Sequence, residues 1–408
     1  MSYFPRIKIE YADSPAVDAF SRLRTSQPTT LFDSKQTTDN RPLYWADKFS
    51  LNASSSYTNN RASTILTASS TVGSTAIRQS KMRAAYQPGK SLFCITTHVF
   101  GASVSGIRKR VGLFDDRNGV FLEDNGGSIN IVMRSSVTGT PVDQTVSQSA
   151  WNVDKLDGSG ASGTSLNLAK SQLTVIDLQW LGVGRVRVGF EVSGSITYCQ
   201  NFDGANLSSS VYMSSPNLPV RYEISNIGAA VSGTLEQICS TIQSEAGYEP
   251  HNFIFSADRG VSALTGVTNA ALYPVLSIRP KSSQTGSFII PVHGSIFCTS
   301  NAANGFRWAV VLNPRVGPID NASWTNVLSS SVEYDISRNS QNALTGGILL
   351  ASGYGVTPSD LSTVSVLESM RSLGADIDGN TDQVVLAAQV IGGTTESFVG
   401  SLSWKEFC

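Results

Sequence analysis

The chain is 408 residues long and 40% hydrophobic, enough at that length to fill more than one core. Charged residues make up 15% of it, against roughly 25% in ordinary soluble domains. The 30 Lys and Arg against 31 Asp and Glu leave a net charge of -1, which excludes a nucleic-acid grip resting on net positive charge and a polybasic membrane anchor.

The start, Met1 to Lys8, has no apolar stretch of the roughly 7–15 residues that a secretory signal needs. Nowhere do about 18 apolar residues run together to span a bilayer. Cys94, Cys199, Cys239, Cys298 and Cys408 are widely spaced and never form CxxC. Four of them sit in apolar strand-like runs, and they read as buried thiols of a chain folded in a reducing cytosol.

Residues 1–45 carry Pro5, Pro15, Pro28 and Pro42, lack steady periodicity and alternate in charge sign. They hold too many large apolar groups for a solvated tail. The expectation is an extended docking arm, with Phe4, Phe20, Arg22, Leu23, Arg24, Leu31 and Phe32 as its subunit-docking side chains.

Residues 46–250 read as a lectin-like, jelly-roll-like antiparallel β-sandwich. A Ser/Thr/Asn tract over 50–76 predicts loops and edge strands. Ser91 to Phe100 is apolar on both faces and suits a strand at a sandwich centre. Gly119–Glu123 and Ile129–Arg134 flank a Gly126-Gly127 turn and predict a hairpin. In Arg185–Val192 the apolar positions Val186, Val188, Phe190 and Val192 alternate with Arg185, Arg187 and Glu191, the period of a strand with one face in the core. Pro219–Ser225 alternates in the same way.

Residues 251–408 predict a second β-rich sandwich, with strands at Val275–Arg279, Phe288–Cys298, Phe306–Leu312, Gly347–Ser352, Gln383–Ile391 and Ser397–Trp404. One helix is expected near 358–373: Thr357 caps it, Pro358 opens it, Leu361, Val364, Leu367 and Met370 recur at helical period, and Gly374 ends it. The fold class is therefore all-β, two sandwiches with one short helix and an N-terminal arm. No 20–50-residue repeat marks a fibre shaft.

Candidate chemistry is sparse. Ala84 to Ser91 ends in Gly-Lys-Ser as a phosphate loop does, but Ala84 replaces the first glycine and a strand follows where a helix should. His98, His251 and His293 show no metal-ligand spacing, and no GxSxG elbow exists. The acidic pairs Asp115-Asp116, Glu123-Asp124 and Asp154/Asp157 are read as turn residues. Asp376 to Asp382 alternates oxygen ligands, but Gly379 and Ala387 break the calcium-loop pattern, so a turn is expected. Arg108-Lys109-Arg110 reads as a solvated strand edge or subunit contact. No cofactor, metal or catalytic residue is expected, and the chain is not expected to be an enzyme.

Asp18-Ala19-Phe20-Ser21-Arg22-Leu23-Arg24-Thr25-Ser26 and Thr30-Leu31-Phe32-Asp33-Ser34-Lys35-Gln36 resemble the opening of virion structural proteins of tailed bacteriophages, especially aquatic ones. The likeness continues through Arg83 to Lys90, Leu181 to Phe190, Val211 to Ser225 and Gly400 to Glu406, with Ser21 a mild departure where the family usually has glycine. The resemblance implies a non-enzymatic decoration, fibre or spike protein on the head, neck or tail surface, assembled in the host cytoplasm. Its partners would be copies of itself in a trimer or ring, and other phage structural proteins. The sandwich pattern carries an alternative, a host-glycan-binding adhesin module, and behind it a glycan depolymerase using two of the carboxylates. Neither nucleic acid nor membrane is an expected partner.

Overall fold

A computed structural model describes residues 25–249, 252–300, 305–317, 320–356, 362–364, 372–393 and 395–407. Every strand pairing in it is antiparallel, and among the described residues no α-helix occurs. No helix there is long and apolar enough to cross a membrane. Two β-sandwiches follow one another along the chain.

The first sandwich packs an eight-stranded sheet on a seven-stranded one. The larger runs in the order Ser195–Asp203, Arg185–Val192, Ser171–Leu178, Leu92–Val99, Gly233–Ser244, Ser63–Ala68 and Ser54–Thr58, with Thr29–Lys35 also paired to Gly233–Ser244. The smaller runs Val142–Ser147, Ser128–Ser135, Gly119–Asn125, Ile107–Phe114, Val220–Asn226, Thr75–Ser80 and Trp45–Ser50.

Two-residue alternation sets which side chains meet between the sheets. In Arg185–Val192, Val186, Val188 and Phe190 are fully buried while Arg185 faces solvent. In Leu92–Val99 the inward side chains are Leu92, Cys94, Thr96 and His98. The predicted hairpin is present: Asn125 pairs with Ser128, and Gly126 and Gly127 both take positive φ (62° and 105°), as a tight two-residue turn requires. Asp124 fixes that turn by accepting from the Gly127 amide at 2.8 Å.

Two expectations are corrected. The segment from Thr29 belongs to the sandwich: Phe32 and Trp45 are buried in its core, where their rings meet edge-on 5.7 Å apart and Trp45 meets Tyr222 at 5.9 Å. Leu31 packs against the same core, so the apolar surface of Leu31 and Phe32 docks on the chain's own body. Phe4, Phe20, Arg22, Leu23 and Arg24 lie outside the described residues. The helix near 358–373 is replaced at Ser362–Val364 by a strand paired to Gly294–Ile296; 357–361 and 365–371 lie outside the described residues. Gly374, expected as a helix stop, instead lets two backbones approach, since a Cβ there would sit 2.4 Å from the Lys81 carbonyl oxygen.

The first sandwich's last strand ends at Ser244 and the second's first begins at Asn252. The second sandwich has a five-stranded sheet, in the order Asn252–Asp258, Glu396–Phe407, Phe288–Cys298 and Ser362–Val364, with Leu264–Val267 paired to the second of these. Its six-stranded partner runs Thr325–Asn326, Val332–Asp335, Tyr273–Pro280, Val384–Ile391, Gly305–Leu312 and Ile348–Val356. Between them lie Phe306, Trp308, Phe398 and Trp404, whose indole donates to Glu406 at 2.8 Å. A ribbon of Arg315–Gly317 and Ala343–Thr345 covers Val385 and Ala387 on the outer face of the six-stranded sheet.

The sandwiches touch along several side chains. Lys48 pairs with Asp378 at 2.6 Å, Asn217 donates to the Gly286 carbonyl at 3.1 Å, and the rings of Tyr248 and Phe407 stand 6.1 Å apart.

Candidate functional site

The densest chemistry lies on the outer face of the seven-stranded sheet. Register puts Arg110 opposite Glu123 on one neighbour and Glu223 on the other. The guanidinium donates to Glu123 at 2.8 Å and to Glu223 at 3.4 Å. Arg221 reaches Glu223 at 2.8 Å and Asp116 at 2.7 Å, and Arg134 holds Asp143 at 2.8 Å. Beneath these cations lie aromatic faces: Arg110 and Arg134 sit 5.1 and 5.3 Å from the Phe121 ring, and Arg221 sits 5.3 Å from Phe114. Phe114, Phe121 and Val132 form a small apolar cluster under this layer. Arginine stems and flat guanidinium groups cover the rings, so Arg110, Arg221, Glu123 and Glu223 are charged yet buried, while Asp116 at the margin stays exposed. Each carboxylate in it accepts from a guanidinium, which makes the face an ion-paired lattice.

A different arrangement occurs where the sandwiches meet. A cavity of about 290 Å³ is walled by Tyr86 and Tyr248 from the first sandwich and Phe288 and Phe407 from the second. Its rim is fixed by side-chain amides. Gln87 accepts from the Glu249 amide at 3.0 Å and donates to the Glu249 carbonyl at 2.5 Å. Asn217 accepts from the Tyr86 amide at 3.0 Å while reaching across to Gly286. Burial pushes the Tyr248 hydroxyl up to about 12. Lys90 closes one side on a Gln87–Lys90 turn, and its buried ammonium nitrogen has no hydrogen-bond partner. The same side chain borders a second cavity of about 250 Å³ with Asp177, Arg185, Arg187 and Glu245.

The structure places the other sequence candidates as follows. The Ala84–Ser91 segment is a turn with Gly89 at φ 86°, leading into the strand Leu92–Val99. Asp115 accepts from the Arg117 and Asn118 amides at 2.8 Å each and from Arg83 at 2.6 Å. Burial pushes the Asp115 carboxyl up, but Arg83 and those amides outweigh it and hold it below the usual range. Both Asp115 and Asp116 line a polar cleft of about 510 Å³ between the sandwiches. Asp154 accepts from Leu156 and Ser162, and Asp157 from Ser159, as turn residues do. Asp376 caps its own turn through the Asp378 and Asn380 amides, while Asp382 holds Asn313 and the Gly374 amide.

Two sequence readings need correction. Glu123 is a mid-strand residue of the lattice, not a turn residue. Arg108-Lys109-Arg110 is part of an interior strand, flanked on both sides by paired strands, so it is no solvated edge. Lys109 points inward and donates to the Phe100 and Ala102 carbonyls; burial pulls its ammonium down, opposed by Asp124. Among the described residues no three His, Cys, Asp or Glu side chains gather as a metal would need. Cys94, Cys199 and Cys298 are buried free thiols, and Cys239 is half-buried. His251 and Cys408 lie outside the described residues.

Sequence reasoning missed Tyr86, Tyr248, Phe288 and Phe407 as a group. They stand on four separate segments, and nothing in their spacing announces that the chain brings them together.

No protein-family model matches the chain, and no curated protein does. Several solved structures are similar in outline. A Shewanella oneidensis protein of unknown function has a TM-score of 0.36 and 10% identity, covering 59% of this chain and 99% of its own. A legume lectin-like domain from Entamoeba histolytica has a TM-score of 0.33 and 9% identity, over 52% and 95% of the two chains. A Bacillus licheniformis β-glucanase has a TM-score of 0.35 and 9% identity, over 54% and 99%. Likenesses this distant carry no argument about what this chain binds or does.

Proposed function

We propose that the chain is a non-enzymatic structural component of a tailed-phage virion, a homo-oligomer on the particle's head, neck or tail surface. The observation that carries this reading is the pair of edge strands on the second sandwich that have no further strand beside them among the described residues. Asn252–Asp258 ends the five-stranded sheet, and Ile348–Val356 ends the six-stranded one. The first edge exposes Phe253 (70%) and Ile254 (65%); the second exposes Tyr354 (73%) and Val356 (57%). Val356, Gly305 and Ile391 share one cross-strand row, so the apolar strip runs from the edge onto the sheet face.

Long apolar edges offer unpaired N–H and C=O groups that another chain's strand can complete. Contact between one edge and the other edge of a neighbour is heterologous, and it closes into a ring when the rotation allows. The resemblance of the opening segment to tailed-phage virion proteins supplies the setting.

Light scattering on the purified chain tests the assembly. The account predicts a closed oligomer, and a species at the 43.4 kDa monomer mass once Tyr354→Lys and Val356→Lys are combined. A monomeric wild-type chain at every concentration would count against it.

A further inference from the structure

We propose that the cavity between the sandwiches binds a neutral saccharide, with Lys90 donating to one of its oxygens. This site is independent of the edges invoked for assembly.

The starting observation is the ammonium group of Lys90, buried without an acceptor. The rest of the side chain is half-buried, and a ligand oxygen beside the ammonium would supply the acceptor it lacks. The other charged groups around it are engaged. Arg187 donates to Asp177 at 2.7 Å, Arg185 pairs with Asp203, and Glu245 accepts from Ser91 at 2.6 Å. Lys90 is thus the donor left over at a junction of two cavities.

The surroundings select the ligand class. Glu249 lines the aromatic cavity beside Lys90, so a phosphate or other multiply charged anion there would meet a carboxylate. The Gly-Lys-Ser end of Ala84–Ser91 leads into a strand, without the helix N-terminus that phosphate binding uses. A sugar hydroxyl can accept from Lys90, and a neighbouring hydroxyl can donate to a carboxylate such as Glu249. The four aromatic walls suit the apolar C–H faces of a pyranose ring. At about 290 Å³ the cavity lies near the small end of ligand pockets, which run from roughly 300 Å³ upward. Because Gln87, Asn217 and the Tyr248–Phe407 contact already fix the walls, little ordering is needed on binding.

The test titrates the full chain with glucose, galactose, mannose, N-acetylglucosamine and short oligosaccharides of each, followed by saturation-transfer NMR and calorimetry. Glucuronate and glucose 6-phosphate serve as charged probes. Lys90→Met is compared with Lys155→Met, a change at an exposed position. At least one neutral sugar should bind. Lys90→Met should weaken it on the order of tenfold or more while leaving the unfolding midpoint unchanged or higher. Lys155→Met should bind as the wild type does. No binding by any neutral sugar, or equal binding by Lys90→Met, overturns the proposal. Preference for the charged probes overturns the neutral class.

Discussion

His98 shows how one side chain ties a strand to the pH range of the whole fold. Alternation in Leu92–Val99 turns its imidazole inward, against Phe100 with ring centroids 4.6 Å apart. Neither ring nitrogen makes a hydrogen bond of good geometry, and burial pushes the group down to about 3, opposed only by the Thr96 backbone. The unfolded chain titrates near 6.5. The folded state therefore binds fewer protons between those values, and the stability His98 allows above about pH 6.5 is lost as pH falls toward 3. Relative to His98→Leu, the wild type should lose up to ~1.4 kcal/mol per pH unit across that window. Urea unfolding of both at pH 7 and at two acidic values measures it; a constant difference would mean the imidazole is not held neutral. The sequence placed His98 in a strand with no metal role, and no further. Its burial depends on strands far along the chain, which cover it on both sides.

At the scale of strands, the ion-paired lattice explains why Val220–Asn226 is buried on both faces although its pattern promised one polar face. Arg221 and Glu223 point outward but are roofed by one another, Arg110 and Asp116. Replacing Arg110 by Met leaves buried Glu123 without a guanidinium while Glu223 keeps Arg221, a loss expected to cost about 3 kcal/mol. Denaturant midpoints read it, and a change below about 1 kcal/mol, the range of exposed pairs, would show the lattice to be solvated. Period-2 strands such as Arg185–Val192 were legible because one face meets a core and the other meets water. The Arg108-Lys109-Arg110 triplet was not, because its partners lie on other strands, 13 and 113 residues away for Arg110. Thr29–Lys35 was hidden too: its inward pair is Phe32 and Ser34, and one large apolar group with a serine, among prolines and alternating charges, carries no readable period.

For the whole molecule, two sandwiches were legible from strand spacing and the Gly/Ser/Asn turns between them. Their mutual contact was not, since it rests on single close approaches. Gly374 is one, and Gly374→Val should force the Lys81 carbonyl away and loosen the pair. Limited proteolysis reads that as faster cleavage between Ser244 and Asn252, with each sandwich persisting as a fragment; unchanged cleavage would place the contact's strength elsewhere. The aromatic cavity was equally illegible, because it exists only where the sandwiches meet. The central claim concerns the particle. Immunogold electron microscopy of phage from the source lysate, with antibody to the whole chain, tests it most directly. The account predicts gold at one fixed position on virions. Clean virions with antigen confined to the soluble fraction, the epitope being shown accessible in controls, would contradict it.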